Sequence, residues 1–295
     1  MEQFVQLIVT GLVIGSVYAL VAMGFALIYK STSILNFAQG EFVLVGAYVC
    51  LWFYSGLGLP IVLAFLLTMC FSVLMGVVLE RLILRPMIGE PIISVIMITI
   101  ALATVIKSLV TIIWGTQIMV FDPPIFSQKA LHFGFVRVSE VYLWTIGFAF
   151  LFLGVFAAFF KFTRVGISMR AVANNQVVAQ SMGISVKKVF AISWSIGALV
   201  SAVGGILVGN INGINSALAG FGLKVFPAVI LGGLESIGGA IIGGLTIGVL
   251  ENIMGSYLDV YLGGGVKEIS PFIVLIIILM VKPYGLFGIK EIERV

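Results

Sequence analysis

Residues 162–189 read FTRVGISMRAVANNQVVAQSMGISVKKV. Phe162 to Val189 is the longest polar interval in a chain that is otherwise mostly soluble in lipid. It carries Arg164, Arg170, Lys187 and Lys188 and no acidic residue. Apolar segments long enough to cross a bilayer flank it on both sides, so it reads as a structured loop held out toward a soluble partner. Apolar residues recur at Met169, Val172, Ala173, Val177 and Ala179, and Gly183 suits a helix C-terminus. Ala171 to Met182 is predicted as a helix of about three turns, with Asn174, Asn175, Gln176 and Gln180 on its polar surface. A solvated loop does not need such a segment; a short amphipathic helix facing a partner does.

The rest of the chain fixes the class. Of 295 residues, 61% are hydrophobic and only 9% charged. A soluble domain carries about a quarter charged residues. The expected fold is therefore an all-α integral membrane protein. The net charge of +4 does not indicate nucleic-acid binding, because the basic residues gather in loops on one side. Cys50 and Cys70 lie in apolar runs and read as small apolar filler. One histidine, His132, and no Cys–His cluster give a metal site no support.

Spans are predicted at Phe4–Tyr29, from about Phe42 to Tyr54, and at Ile61–Leu79, Ile92–Trp114, Tyr142–Phe160 and Phe190–Val208. The first is too long for a signal-peptide core, and no basic region precedes it. Beyond Asn210 the pattern is less regular. Phe221–Leu234 and Gly238–Ile253 both read as short for a full span, and Pro271–Val281 extends toward Phe287. Broken or re-entrant helices fit this region. The total is about eight or nine crossings.

Lys and Arg set the orientation. The N-terminus has no basic residue and is placed outside. Lys30, Arg81, Arg85, the central loop and the C-terminal Lys282, Lys290 and Arg294 then fall inside. Gly11–Gly15, Gly239–Gly243 and Gly244–Gly248 have small-xxx-small spacing and read as helix-packing faces. An inverted repeat is suggested. Gly11–Gly46 and Gly197–Gly233 each show a Gly-rich span, a polar Ser/Asn link and an apolar piece. Binding sites of transporters tend to lie at such matched breaks.

Three polar groups could serve chemistry. Asn36, Gln39 and Glu41 stand where the second span begins; they are either an ordinary helix start or the polar end of a broken helix facing a solute route. Asn210 and Asn212, with Asn215 and Ser216, form the second group, for which loop solvation also serves. Glu235, Glu251 and Asn252 form the third; a carboxylate at membrane depth is a functional candidate by default. Lys107 lies about two turns from the end of its span and reads as a snorkelling side chain. No G-x-x-x-x-G-K-[ST] is present, so any ATP use belongs to another chain.

The N-terminal stretch GLVIGSVYALVAMGFALIYKSTSILNFAQGEF resembles the opening of the branched-chain amino-acid ABC transporter permeases, and more closely their shorter, LivH-like membrane subunit. RVGISMRAVANNQVVAQSMGISVKKV resembles the family's cytoplasmic loop, and KVFPAVILGGLESIGGAIIGGLTIGVLE its C-terminal signature. The resemblance implies one transmembrane permease domain over residues 1–295, with a coupling loop at about 162–189. It implies no cofactor on this chain; ATP and Mg are used by two cytoplasmic ATPase subunits. It implies a second permease subunit, an external solute-binding protein and residence in the bacterial inner membrane. Ala179-x-x-x-Gly183 resembles the core of the element pressed into the ATPase, which makes Arg170, Asn174, Asn175, Ala179, Gln180 and Gly183 the expected coupling residues. The chain departs from the family pattern at VFAISW and at Gln39, where the family often has His. The expected solutes are branched-chain or related amino acids, or other small polar organic solutes. An ion-gradient-driven secondary transporter is the alternative; it needs Glu41, Glu235 or Glu251 for coupling.

Overall fold

The computed structural model describes residues 2–127, 129–133 and 136–288. Lys290 and Arg294, expected on the inner side, lie outside the described residues. The chain is helical throughout, apart from a hairpin of β1 (Ala130–Phe133) and β2 (Val136–Ser139) that pairs Leu131 with Val138. His132 lies in β1.

Among the described residues, six helices are long and apolar enough to cross a membrane. They are α1 (Glu2–Thr32), α3 (Ile61–Leu79, continued by tighter and wider turns to Met87), α4 (Ile92–Trp114), α5 (Glu140–Phe162), α8 (Val186–Asn212) and α10 (Ile237–Leu262). Shorter apolar helices accompany them: α2 (Gln39–Leu51), α9 (Gly220–Gly232) and α11 (Val266–Val281). α2 and α9, at 13 residues each, are short for a full crossing. The polar loop forms α6 (Arg164–Asn174) and α7 (Gln176–Ser181).

α1 and α8 form the interior, while α3, α4 and α5 are largely uncovered by the chain itself. This ordering follows side-chain size. Gly11 and Gly15 of α1 face Gly244 and Gly248 of α10, and a Cβ on Gly248 would stand 2.3 Å from the Gly15 Cα. Without side chains at the contact the two backbones touch, so packing replaces the missing hydrophobic drive within lipid. The Gly-rich α10 is 26 residues long, a full span where the sequence reading expected a short one. Its glycines lower the apparent hydropathy but lie against α1 and α9.

The repeat is visible in the architecture. α1, a break at 33–38 and the 13-residue α2 are matched by α8, a break at 213–219 and the 13-residue α9. The two long helices run in opposite directions: Gly197 faces Ile28 and Gly24, whereas Gly204 faces Val21 and Val17. The breaks have local causes. Ser33 takes φ 57°, and the Ser31 and Thr32 hydroxyls donate back to the Leu27 and Ile28 carbonyls. Gly213 ends α8 at φ 76°.

Two expected boundaries shift. The span expected to end at Leu79 runs on to Met87, and Glu80 is buried against Arg85 at 2.8 Å. The single helix expected over Ala171–Met182 is two helices joined at Asn175, which is extended at φ −160°. The Asn175 side chain accepts from the Val178 N–H at 3.0 Å, so it starts α7 rather than continuing α6.

Candidate functional site

The two short helices begin in the middle of the bundle. Gln39 opens α2 beside Gly197 and Ser201, halfway along α8. Gly40 meets the Ala219 carbonyl and Gly222 at the start of α9. From this crossing α2 runs alongside α8 toward the side that holds β1 and β2, and α9 runs back toward the side that holds α6 and α7. The first turns of α2 and α9 therefore meet at one place.

Of the residues expected there, Asn36 and Gln39 are fully buried and hold the break closed. Asn36 Nδ2 donates to Gln39 Oε1 at 2.9 Å, and Gln39 Nε2 donates to Ser201 Oγ at 2.7 Å. Asn36 Oδ1 also accepts from the Ala38 N–H at 3.0 Å. Their hydrogen-bonding capacity goes to the fold, not to an open surface.

Glu41 is placed differently. It is only 8% exposed, yet it lines a cleft of about 430 Å³ between α2, α4 and the start of α9. Thr104, Lys107 and Ser108 of α4 line the same cleft, together with Phe37, Ile100 and Leu223. Lys107, read from the sequence as snorkelling, is thus the basic wall opposite Glu41. The position of α4 in the bundle is what a sequence cannot supply here.

The other expected residues lie apart. Asn210 is near the end of α8, its Nδ2 buried without a partner among the described residues. Asn212 lines a second cavity of about 440 Å³. That cavity contains a charged cluster the sequence reading only partly named: Glu251 accepts from Tyr18 Oη at 2.7 Å and from Lys224 Nζ at 2.9 Å. Lys224 also reaches Glu268 at 2.8 Å. Glu235 is exposed in the turn between α9 and α10, near Tyr29 and Tyr284 at the α6–α7 side, and takes no part in either cavity.

The α6–α7 hairpin has a core of its own. Met169, Val172 and Ala179 pack with Leu27 of α1, Phe160 of α5 and Val186, Val189 and Phe190 of α8. Arg170 faces inward: its guanidinium donates to the Phe160 and Lys161 carbonyls and lies 5.4 Å from the Phe160 ring centre. Asn174, Asn175, Gln180 and Gly183 are exposed, and Gly183 turns the chain at φ 83°. The tip is apolar. Val177, Val178 and Met182 are 72%, 54% and 78% exposed on a segment outside the spans. The amphipathic pattern pointed to a docking helix, but the buried face of α7 is Ala179 and the valines point away.

The sequence model of the family described as "Branched-chain amino acid transport system / permease component" matches residues 7–281. The high-affinity branched-chain amino acid transport system permease protein LivH of Escherichia coli is 29% identical, over 99% of this chain and 98% of its own length. The corresponding BraD protein of Pseudomonas aeruginosa is 30% identical over 99% of this chain and 98% of its own. A probable LivH of Methanocaldococcus jannaschii is 30% identical over 98% and 95%. In fold, a chain of PsaBC from Streptococcus pneumoniae, solved in complex with a Fab, gives a TM-score of 0.54 at 17% identity, covering 95% of this chain and 91% of that one. Across nearly its whole length, this multi-pass membrane chain belongs to the permease-component family of branched-chain amino acid transport systems.

Proposed function

We propose that the chain is a permease subunit of an ATP-driven ABC importer that moves branched-chain or related amino acids inward from a solute-binding protein. The observation that carries the reading is the apolar tip at Val177, Val178 and Met182. An exposed apolar patch on a segment outside the membrane marks an interaction site. Its anchoring to α1, α5 and α8 makes it a handle on the bundle. ATP and Mg belong to two ATPase subunits seated on this handle. A second permease subunit covers the polar face of α4, and an external solute-binding protein meets the opposite side. Lys30, Arg81, Arg164, Lys187 and Lys188 share the α6–α7 side, which supports an inside position for it, with the N-terminus outside and the C-terminus inside. The location that fits this assembly is the bacterial inner membrane.

In this reading Asn175 is the joint of the coupling element, and Ala179 seats it on the bundle. Asn174, Gln180 and Gly183 border the contact, while Arg170 holds the hairpin to α5. Glu41 borders the solute route, and Asn36 and Gln39 keep the half-helix beside it in place. Asn210 and Asn212 belong to the outer mouth, and Glu235 to the inner one. The gradient-driven alternative loses a coupling group, since Glu251 is neutralised by Lys224 at 2.9 Å.

The test is co-purification of the ATPase subunits with the permease pair, comparing the parent with a Val177→Glu, Met182→Glu variant. Loss of the ATPases with an intact permease pair is expected. Full retention of ATPase and of ATP-driven uptake would sink the docking role.

A further inference from the structure

Glu41 is a carboxylate more than nine-tenths buried, and its one hydrogen bond among the described residues comes from its own backbone N–H. The charge that acts on it is Lys107, yet the two form no ion pair. An acid and a base within a membrane protein normally meet, because an unpaired charge in that setting is costly. Glu251 and Lys224, in the neighbouring cavity, do meet. Glu41 and the exposed Lys107 thus stay unpaired while both line one cleft of about 430 Å³.

The remaining walls divide by chemistry. Thr104 and Ser108 give hydroxyls on the Lys107 side, and Gly220 brings the N-terminal end of α9 to the cleft. Phe37, Ile100 and Leu223 give an apolar wall. A solute that fills such a gap carries both charges close together and a compact apolar part.

We propose that the Glu41–Lys107 cleft is a stopping point for a zwitterionic α-amino acid. Its ammonium lies on Glu41, its carboxylate on Lys107 and the Thr104 and Ser108 hydroxyls, and its aliphatic side chain against Phe37, Ile100 and Leu223. Each protein charge is then matched by the opposite charge of the solute. The proposal rests on the reading of the chain as an amino-acid permease and adds where the solute sits and which groups of the solute are recognised. Selection is for both charges at once, so an amine or an acid with the same carbon skeleton is held weakly.

The experiment uses the assembled transporter in vesicles, with Cys50→Ala and Cys70→Ala removing the native thiols and Thr104→Cys placing one in the cleft. Labelling of that thiol by a charged thiol reagent is timed with leucine, isoamylamine or isocaproate, and ATP-driven leucine uptake is recorded on the same vesicles. Leucine at ten times its dissociation constant is expected to slow labelling about tenfold. The two single-charge analogues protect much less. Glu41→Gln or Lys107→Met removes protection by leucine, while the ATPase subunits still co-purify. Uptake of leucine without protection, or equal protection by isocaproate, overturns the site and leaves the permease reading standing. Absence of ATP-driven uptake overturns the permease reading and the site with it.

Discussion

Gly40 and Gly222 bring the first turns of α2 and α9 into backbone contact. A Cβ on Gly222 would stand 2.3 Å from the Gly40 nitrogen, and one on Gly40 would stand 2.0 Å from the Ala219 carbonyl oxygen. Main chain lies on both sides, so no flexible side chain can give way. Gly222→Ala is expected to destabilise the folded permease by about 1–3 kcal/mol, as overpacking does. Gly220→Ala, with open space at its Cβ, serves as the control. A thermal melt of the purified complex reads both, and equal melting temperatures would contradict the contact.

The Lys224–Glu251 pair predicts an asymmetric double-variant result. Glu251 is buried at 2% exposure, and Lys224 is mostly buried at 13%. Lys224→Met alone leaves Glu251 uncompensated, an effect of about 3–5 kcal/mol when a buried pair is broken. Lys224→Met with Glu251→Gln removes both charges and is expected to recover most of the loss. A double variant as unstable as the sum of the singles would show that the pair is not acting as a unit.

Arg170 predicts a separation of binding from coupling. Its guanidinium donates to two carbonyls at the end of α5, while the apolar tip of α7 lies elsewhere. Arg170→Ala is expected to leave the ATPase subunits bound and to lower the stimulation of ATP hydrolysis by solute-loaded binding protein. The exposed Arg164 serves as control. Loss of ATPase binding in Arg170→Ala would make this residue a contact instead of a fastening.

Gln39→Leu tests the break at 33–38. It leaves the Asn36 amide and the Ser201 hydroxyl without their partner. Buried groups left unsatisfied cost about 1–3 kcal/mol each. Ser201→Ala removes one bond and is expected to be milder. The ranking is read from melting temperatures of the same complex.

Much of this was readable in the residues. Five of the six spans follow from apolar length, and the paired breaks follow from Ser/Asn links after Gly-rich helices. That 162–189 stands apart from the spans as a structured segment follows from its polarity and basic charge. The Gly-x-x-x-Gly spacings marked packing faces on α1 and α10, and the structure shows that the Gly11–Gly15 and Gly244–Gly248 faces meet each other. What stayed hidden depends on neighbours far along the chain. Lys107 gains meaning only when α4 lies beside Glu41, and Lys224 only when α10 brings Glu251 to it. Asn175 divides the helix expected over Ala171–Met182 because its side chain offers α7 a cap, a local competition that periodicity does not weigh. α10 looked short because glycine counts as weakly apolar, although here it is what lets the helix pack.

α8 is one unbroken helix of 27 residues, about 40 Å long. Its first turn belongs to the hairpin core, its middle holds Gln39 through Ser201, and its last turn ends at Gly213. A beam gripped at its centre behaves as a see-saw. A tilt of about 5° around Ser201 moves the hairpin end by about 2 Å, and the far end by nearly as much in the opposite sense. A push on α7 is thus felt at the opposite rim without any signal travelling through soft loops. Under the proposed function, the two mouths of a solute route beside α8 would share one degree of freedom, so widening one would narrow the other.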